Sequence, residues 1–459
     1  MAKDAVAALR WSTPILWTLG LLLSPAISAA PLGPLALRGC VSETGAVGGC
    51  SNGVALAGAL GVTVSPDSKH AYVVASILGS GGVTAFARDK ATGALTQLAG
   101  AAGCVNETGA GGCTDGVAVS NACALAVSPD GKHVYVASCK SNAIAVFARD
   151  KKTGGLTQLA GIDGCVSETG TGGVCADGIA LDDPIAVAVS RDGKHVYVAS
   201  FFGDSIAVFG RNKKTGALTQ LAGTAGCISE TGTGGACADG IALDGADSVA
   251  VSADGKHVYV AAANSGAVAV FARTKATGAL TQLAASAACV SDDGTSGACA
   301  DGEALSGADA VALSADGKHA YVGAVASDSV AIFARNKKTG VLTQLPGTDG
   351  CVSETGSGGA CIDGVGLDGP RSIAVSRSGK DLYVASSVGD AVAVFRRNKK
   401  TGTLAQLPGT DGCVSETGSG GDCADGVVLD GAHGVAVSAA GKHVYVASDV
   451  SGAVSAFGR

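Results

Sequence analysis

Between Ser248 and Ser286 the chain reads "SVAVSADGKHVYVAAANSGAVAVFARTKATGALTQLAAS", in which apolar residues alternate with small or polar ones and Asp-Gly, Ser-Gly and Thr-Gly pairs interrupt the runs. Period-two alternation rich in β-branched residues predicts strands, and the glycine pairs predict tight turns. Four short strands follow, over 249–252, 257–261, 267–273 and 280–283. The same pattern recurs along the chain. Its clearest marker is a cysteine at positions 40, 104, 165, 227, 289, 351 and 413, in steps of 64, 61 and then 62 four times.

Seven units of four antiparallel strands predict an all-β chain folded as a seven-bladed β-propeller. Repeats of helix pairs are excluded by the β-branched alternation and by glycines too frequent for helices. A linear solenoid of hairpins is the alternative, and the ends of the chain argue against it. The last unit stops at Arg459 after its third strand, while residues 31–38 stand where the other units have their fourth, "LTQLAG". The N-terminal segment is therefore expected to supply the outer strand of the final blade and close the ring, which removes an exposed edge. All seven tyrosines (72, 135, 197, 259, 321, 383 and 445) share one position of the second strand. Seven of the nine phenylalanines (86, 147, 209, 271, 333, 395 and 457) share one position of the third. These are expected to pack blade against blade.

Blades reading "VSPDGKHVYVAS" (127–138) followed by "IAVFARDKKTGGLTQL" (144–159) resemble the seven-bladed lactonase-type propellers with YVTN-type repeats. That group includes 6-phosphogluconolactonase-like and carboxymuconate-cyclase-like proteins. The resemblance covers essentially all of the chain after residue 30, and it implies the propeller fold and the opening or closing of a cyclic ester.

Composition places the protein in a compartment. Lys3 and Arg10 precede an apolar run, Ile15 to Leu23, and the small residues of "SPAISAAP" follow. Residues 1–30 are thus read as a secretory signal cleaved near Ser28 to Ala30, with the propeller spanning 31–459. No later segment is expected to span a membrane. Sixteen cysteines suit an oxidising extracellular or periplasmic compartment. Losing Lys3, Asp4 and Arg10 takes the net charge from −7 to −8. That charge excludes general nucleic-acid binding, which needs a basic face.

Each repeat carries a glycine-rich loop between two cysteines. The predicted pairs are Cys40 with Cys50, Cys104 with Cys113, Cys165 with Cys175, Cys227 with Cys237, Cys289 with Cys299, Cys351 with Cys361 and Cys413 with Cys423. A local clasp lowers the entropy cost of ordering such a loop. Zinc would need more ligands than two cysteines with no histidine nearby. Cys123 and Cys139 flank the first hairpin of the second blade; an eighth disulfide is the simplest reading and two free thiols the alternative. No cofactor is required by these features. Calcium is the one ion left open, bridging a loop glutamate such as Glu168 to Asp177, and no metal ligands are assigned.

The turns "PDGK" and "DKKTG" gather the lysines on one face. The cysteine loops and second-to-third turns gather 30 of the 39 acids on the other, with three bases, Arg38, Lys140 and Arg371. Such a face attracts cations and repels anions.

Candidate chemistry is sought where the repeats differ. Six histidines follow the lysine that ends the first turn, at 70, 133, 195, 257, 319 and 443, with Asp381 in the remaining unit, and are read as structural. His433 lies elsewhere. Aligning the inner strands on the serine of "VAVS" places it in a ring with Leu60, Cys123, Ile185, Asp247, Asp309 and Arg371. Asp247, Asp309, Arg371 and His433 form a polar arc of candidate catalytic residues. Arg371 would anchor a carboxylate or polarise a carbonyl, His433 would act as acid or base, and the aspartates would orient it or hold a cation. Phe201, Phe202 and Glu303 depart from the repeat on the same face and are candidate ligand-binding residues. The leading expectation is a secreted binding or scaffold propeller engaging a small molecule, a cation or an extracellular protein. The alternative is a lactonase-like enzyme acting on a neutral or weakly anionic cyclic ester.

Overall fold

Alternating strands whose two faces are both apolar must be covered on both sides, and neighbouring blades provide the cover. The computed structural model describes residues 34–459 apart from 44, 46–48 and 77–80, so the expected signal peptide lies outside the described residues. In blade 4, Ala246–Val251, His257–Ala262 and Ala267–Arg273 form three antiparallel strands, and every residue of the second is buried. Its Tyr259 and Phe271 are fully enclosed. Tyr197 and Val208 of blade 3 pack with Val258, Val260 and Phe271 of blade 4 in one apolar layer, and such layers repeat around the ring. Among the described residues there is no α-helix.

The seven sheets confirm the propeller, with a correction to the blade. A blade is a small mixed sheet, not four antiparallel strands. In blade 4 the outer strand is split: Leu280–Gln282 pairs with Phe271–Arg273, and Cys289–Ser291 pairs with Ala267–Ala269. Three residues of "LTQ" are too short to cover a seven-residue third strand, and a 3-10 turn resets the chain between the two pieces. The equivalent turn in blade 3 opens on Gly223 at φ +58°, a left-handed conformation that glycine adopts without steric penalty. Beyond the cysteine loop Ala300–Asp301 returns parallel to Val290–Ser291.

The ring closes as expected. Ala36–Ser42 pairs antiparallel with Ala453–Gly458, from Ala36 opposite Gly458 to Ser42 opposite Ala453. Val41, Leu56, Ala59 and Phe86 pack with Ala447 and Val454 across the junction of blades 7 and 1. Ala36 to Gly39 lie opposite the last residues of the Ala453–Gly458 strand, Ala456 to Gly458, so Arg38 lies beside Lys442, His443 and Arg459. Arg38 therefore belongs to the lysine-bearing face and not to the acidic one.

All seven loop disulfides form, with Cα atoms 4.7 to 4.8 Å apart. Cys123 and Cys139 form the eighth. Among the described residues no cysteine is free, and eight disulfides fit an oxidising extracellular or periplasmic environment. No helix of the described residues is long and apolar enough to cross a membrane.

Neighbouring blades are also joined by a buried arginine. Arg149 of blade 2 donates Nε to the Tyr72 hydroxyl at 2.7 Å and meets His70 Nδ1 at 2.6 Å and the Asp67 carboxylate at 3.0 Å, all three in blade 1. Burial, then the arginine charge, holds His70 below its usual range, so its ring is neutral and Nδ1 accepts. Arg211, Arg273, Arg335 and Arg397 repeat the arrangement one blade further on each time. The histidines that follow the lysine of the first turn are structural, as expected. Blade 6 has Ser378 in place of the turn aspartate and Asp381 in place of the histidine, and Asp381 meets Arg459 at 2.7 Å. Blade 7 has Ala440 at the turn, and Arg88 of blade 1 bonds Tyr445 and His443 there without a carboxylate.

Candidate functional site

The second residue of every inner strand sits in a β-bulge. In blade 5 Ala308 pairs with Ala324 and Ala310 with Gly323, which leaves Asp309 outside the ladder. The other six blades shift register at the same place. A bulge turns its extra residue away from the regular pleat. All seven residues of the predicted ring, Leu60, Cys123, Ile185, Asp247, Asp309, Arg371 and His433, consequently line one cavity of about 180 Å³ on the propeller axis. For comparison, a cavity of about 150 Å³ accommodates benzene.

Within the polar arc Arg371 and Asp309 are paired, while His433 bonds the backbone of Leu60. Arg371 donates Nη1 to Asp309 at 2.7 Å and Nε to the Ser387 hydroxyl at 3.4 Å. Asp309 is buried, with 6% of its surface exposed. Burial pushes its carboxyl up to about 6, against the pull of Arg371 and of a hydrogen bond with Asp247. Burial and the Asp309 charge push Asp247 well above the ordinary carboxylate range, with Arg371 opposing and Asp183 adding to the rise. Both carboxyls are therefore driven toward the protonated form, Asp247 with the added push of the Asp309 charge. His433 is driven the other way. Burial, then Arg371, lowers it to about 4, against Asp449 and a bond to the Leu60 carbonyl. Its Nδ1 lies 3.2 Å from that carbonyl oxygen, which accepts only a donated proton, so Nε2 is left with a free lone pair. Two aspartates, an arginine and a histidine thus face one small cavity.

The sequence matches the family described as Lactonase, 7-bladed beta-propeller over residues 126–226 and 244–417, more than half of the chain. The chain belongs to this family. Solved structures similar to it include candidate 6-phosphogluconolactonases from Bacteroides uniformis and Bacteroides fragilis. The first is 22% identical over 75% of this chain and 82% of its own, with a TM-score of 0.52. The second is 23% identical over 76% and 82%, with a TM-score of 0.51. The periplasmic gluconolactonase of Pseudomonas aeruginosa is 19% identical over 76% and 83%, also with a TM-score of 0.51. At these identities the likeness is one of fold. No curated protein matches the sequence.

In this lactonase-family propeller the remaining candidates lie outside the cavity. Phe201 stands sixteen residues after Ile185, the spacing that joins Cys123 to Cys139 and Arg371 to Ser387, and it meets Phe202 edge to face at 5.4 Å. Phe202 projects from the second-to-third turn with 69% of its surface exposed. Glu303 is not brought to the ring. Its backbone pairs with the Gln344 amide of blade 5 at the outer rim, where other blades place Val or Ile. The loop glutamates are occupied internally: Glu168 accepts the Leu181 amide at 2.6 Å, and Glu230, Glu354 and Glu416 repeat this. Among the described residues no group of three or more His, Cys, Asp or Glu is placed to hold a metal ion. Sequence reading passed over Ser387 and Asp449, which attend Arg371 and His433; both carry the sixteen-residue spacing of Cys123 and Cys139, a signal sufficient to find them.

Proposed function

We propose that the protein hydrolyses a neutral cyclic ester at the polar arc of its axial cavity. The observation that carries this reading is the 2.7 Å pair of Arg371 with Asp309. The one cation of the cavity is already matched, so a phosphorylated or multiply carboxylated lactone would meet no spare positive charge there. A neutral ester asks only for polarisation, which the Arg371 guanidinium supplies through its remaining N–H groups.

In this reaction His433 Nε2 takes a proton from water as the water oxygen attacks the ester carbonyl carbon. The bond from that carbon to the ring oxygen then breaks, and the departing oxygen takes the proton of Asp247. Proton return from His433 to Asp247 restores the site, and the net change is addition of one water to give an open hydroxy acid. The eight disulfides, and the periplasmic gluconolactonase among the similar structures, favour action outside the cytoplasm. Binding without turnover on the loop face draws less support, because the repeated loop carboxylates are spent on backbone amides.

The test is hydrolysis of a lactone panel by the purified protein, with His433→Ala and Arg371→Ala as controls. Turnover of neutral lactones is expected to fall at least about 100-fold in a folded His433→Ala variant. A strong preference for phosphorylated lactones, or turnover that survives both substitutions, would refute the proposal.

A further inference from the structure

The cavity is polar on one side only. Leu60, Cys123 and Ile185, from blades 1, 2 and 3, occupy the three ring places not taken by the polar arc, and Leu125 lines the same wall. Sixteen residues beyond Cys123 and Ile185, at equivalent positions of the repeat just outside the cavity, stand Cys139 and Phe201. The Cys123 sulfur is bonded to Cys139, so neither thiol is present as a polar group, and Cys139 Sγ lies 3.6 Å from the Pro184 carbonyl beside Ile185. Phe201 takes in blade 3 the place of Cys139 in blade 2, and it leads to the exposed Phe202 ring. Both phenylalanines are departures from the repeat, as is this disulfide.

A space of about 180 Å³ holds a single five- or six-membered ring and little more. With such a ring against Arg371 and His433, any substituent must leave across the opposite wall. A hydroxylated or charged chain would lose water there without gaining partners, whereas an alkyl chain would bury apolar area.

We infer that the site selects cyclic esters bearing an alkyl or acyl chain, the ring in the polar arc and the chain along Leu60, Cys123–Cys139, Ile185 and Phe201 toward Phe202. The ring's placement rests on the hydrolytic reading; the chain's placement rests on the apolar sector alone.

Two homologous series separate the two. The first is 5-alkyl γ-lactones from methyl to hexyl, assayed for turnover. The second is the matching 5-alkyl-2-pyrrolidinones, whose ring amide resists hydrolysis, assayed for binding by calorimetry. Each added methylene that is buried is expected to lower the pyrrolidinone dissociation constant about fourfold. That dependence should flatten in Phe201→Ser/Phe202→Ser, whose folding is checked by its melting temperature. Pyrrolidinones that bind equally at every chain length, or do not bind, would overturn the inference. Chain-dependent binding with no lactone turned over would uphold it and overturn the hydrolytic reading.

Discussion

The arginine clamp between blades and the ring on the axis are both sevenfold features, built from equivalent positions of one repeat. At the clamp the arginine and the tyrosine recur in all seven blades, at Arg88, Arg149, Arg211, Arg273, Arg335, Arg397 and Arg459. At the ring the same seven blades offer Leu, Cys, Ile, Asp, Asp, Arg and His. The geometry of the fold accounts for the contrast. Clamp residues reach no further than their own blade and the adjacent one, so a charge can be repeated seven times and find its own partner each time. Ring residues all converge on one axis, where seven copies of a charge would face each other with little water between them. Repetition serves joints between neighbours, and divergence is forced where the copies meet.

Removing a clamp arginine should have the largest effect. Arg273→Ala leaves the Tyr197 hydroxyl, His195 and Asp192 without their shared partner. A loss of about 3–5 kcal/mol in denaturant unfolding is expected. A loss below 1 kcal/mol would break the comparison, since the clamp would then be decoration.

Deleting a loop clasp, Cys227→Ala/Cys237→Ala, should lower stability by about 2–3 kcal/mol through the entropy of the released loop. Lactone turnover per folded molecule should stay unchanged, because the loop lies away from the cavity.

Blade 6 offers a natural exchange. Asp381→His alone removes the carboxylate that meets Arg459, and adding Ser378→Asp should restore one at the usual place. A coupling of about 1–3 kcal/mol between the two substitutions is expected from a double-mutant cycle. Additive effects would show that the clamp does not need a carboxylate there.

The same two regions should differ in their response to acid. Clamp histidines such as His257 are held below 6.5 by burial and then by Arg335, so the stability they allow is present above pH 6.5 and is lost as the pH falls below it. Burial works against the ionised clamp aspartates, yet bonds from Ser65 and Lys69 and the Arg149 charge take Asp67 down to about 2, and its contribution is lost as pH falls from 3.8 through 2. In the ring the directions oppose. His433 at about 4 loses stability between pH 6.5 and 4, while Asp309 at about 6 regains it between 6 and 3.8. His257→Asn should therefore shrink the drop in melting temperature between pH 7 and pH 4.5, whereas His433→Asn/Asp309→Asn should leave it nearly unchanged. The smallest effect belongs to the mouth: Phe202→Ser should stay within about 0.5 kcal/mol of the parent in thermal unfolding.

Much of this was readable in the chain, for reasons that differ by feature. Aligning "VAVS" collects the ring because the bulge falls at one place in every blade, so an unseen irregularity does not disturb the register. The split outer strand was not readable. Cys289–Ser291 is three residues long and lies inside a stretch whose dominant signal is cysteine spacing. The face of Arg38 is not readable because it depends on how far the N-terminal strand slides along Ala453–Gly458: Ala36 to Gly39 pair with Ala456 to Gly458, at the lysine-bearing end. The clamp was visible as an arginine repeated in an otherwise apolar strand, but its partners lie some 80 residues away, as between Arg149 and Asp67, and only the stacking of blades brings them together. The upward shift of the Asp247 and Asp309 carboxyls likewise depends on burial, which no spacing records.

The closure of the ring has a mechanical consequence. Ala36 lies opposite Gly458, so the incoming and outgoing ends of the propeller leave the final blade side by side. Tension applied between them loads the ladder one residue pair at a time, from Ala36 and Gly458 toward Ser42 and Ala453, as a zip is drawn and not as a lap joint is sheared. Pulled by its ends, the propeller should open first at blade 7 and at low force, while the other six sheets, each formed from one continuous stretch of chain and each carrying its own disulfide clasp, remain folded.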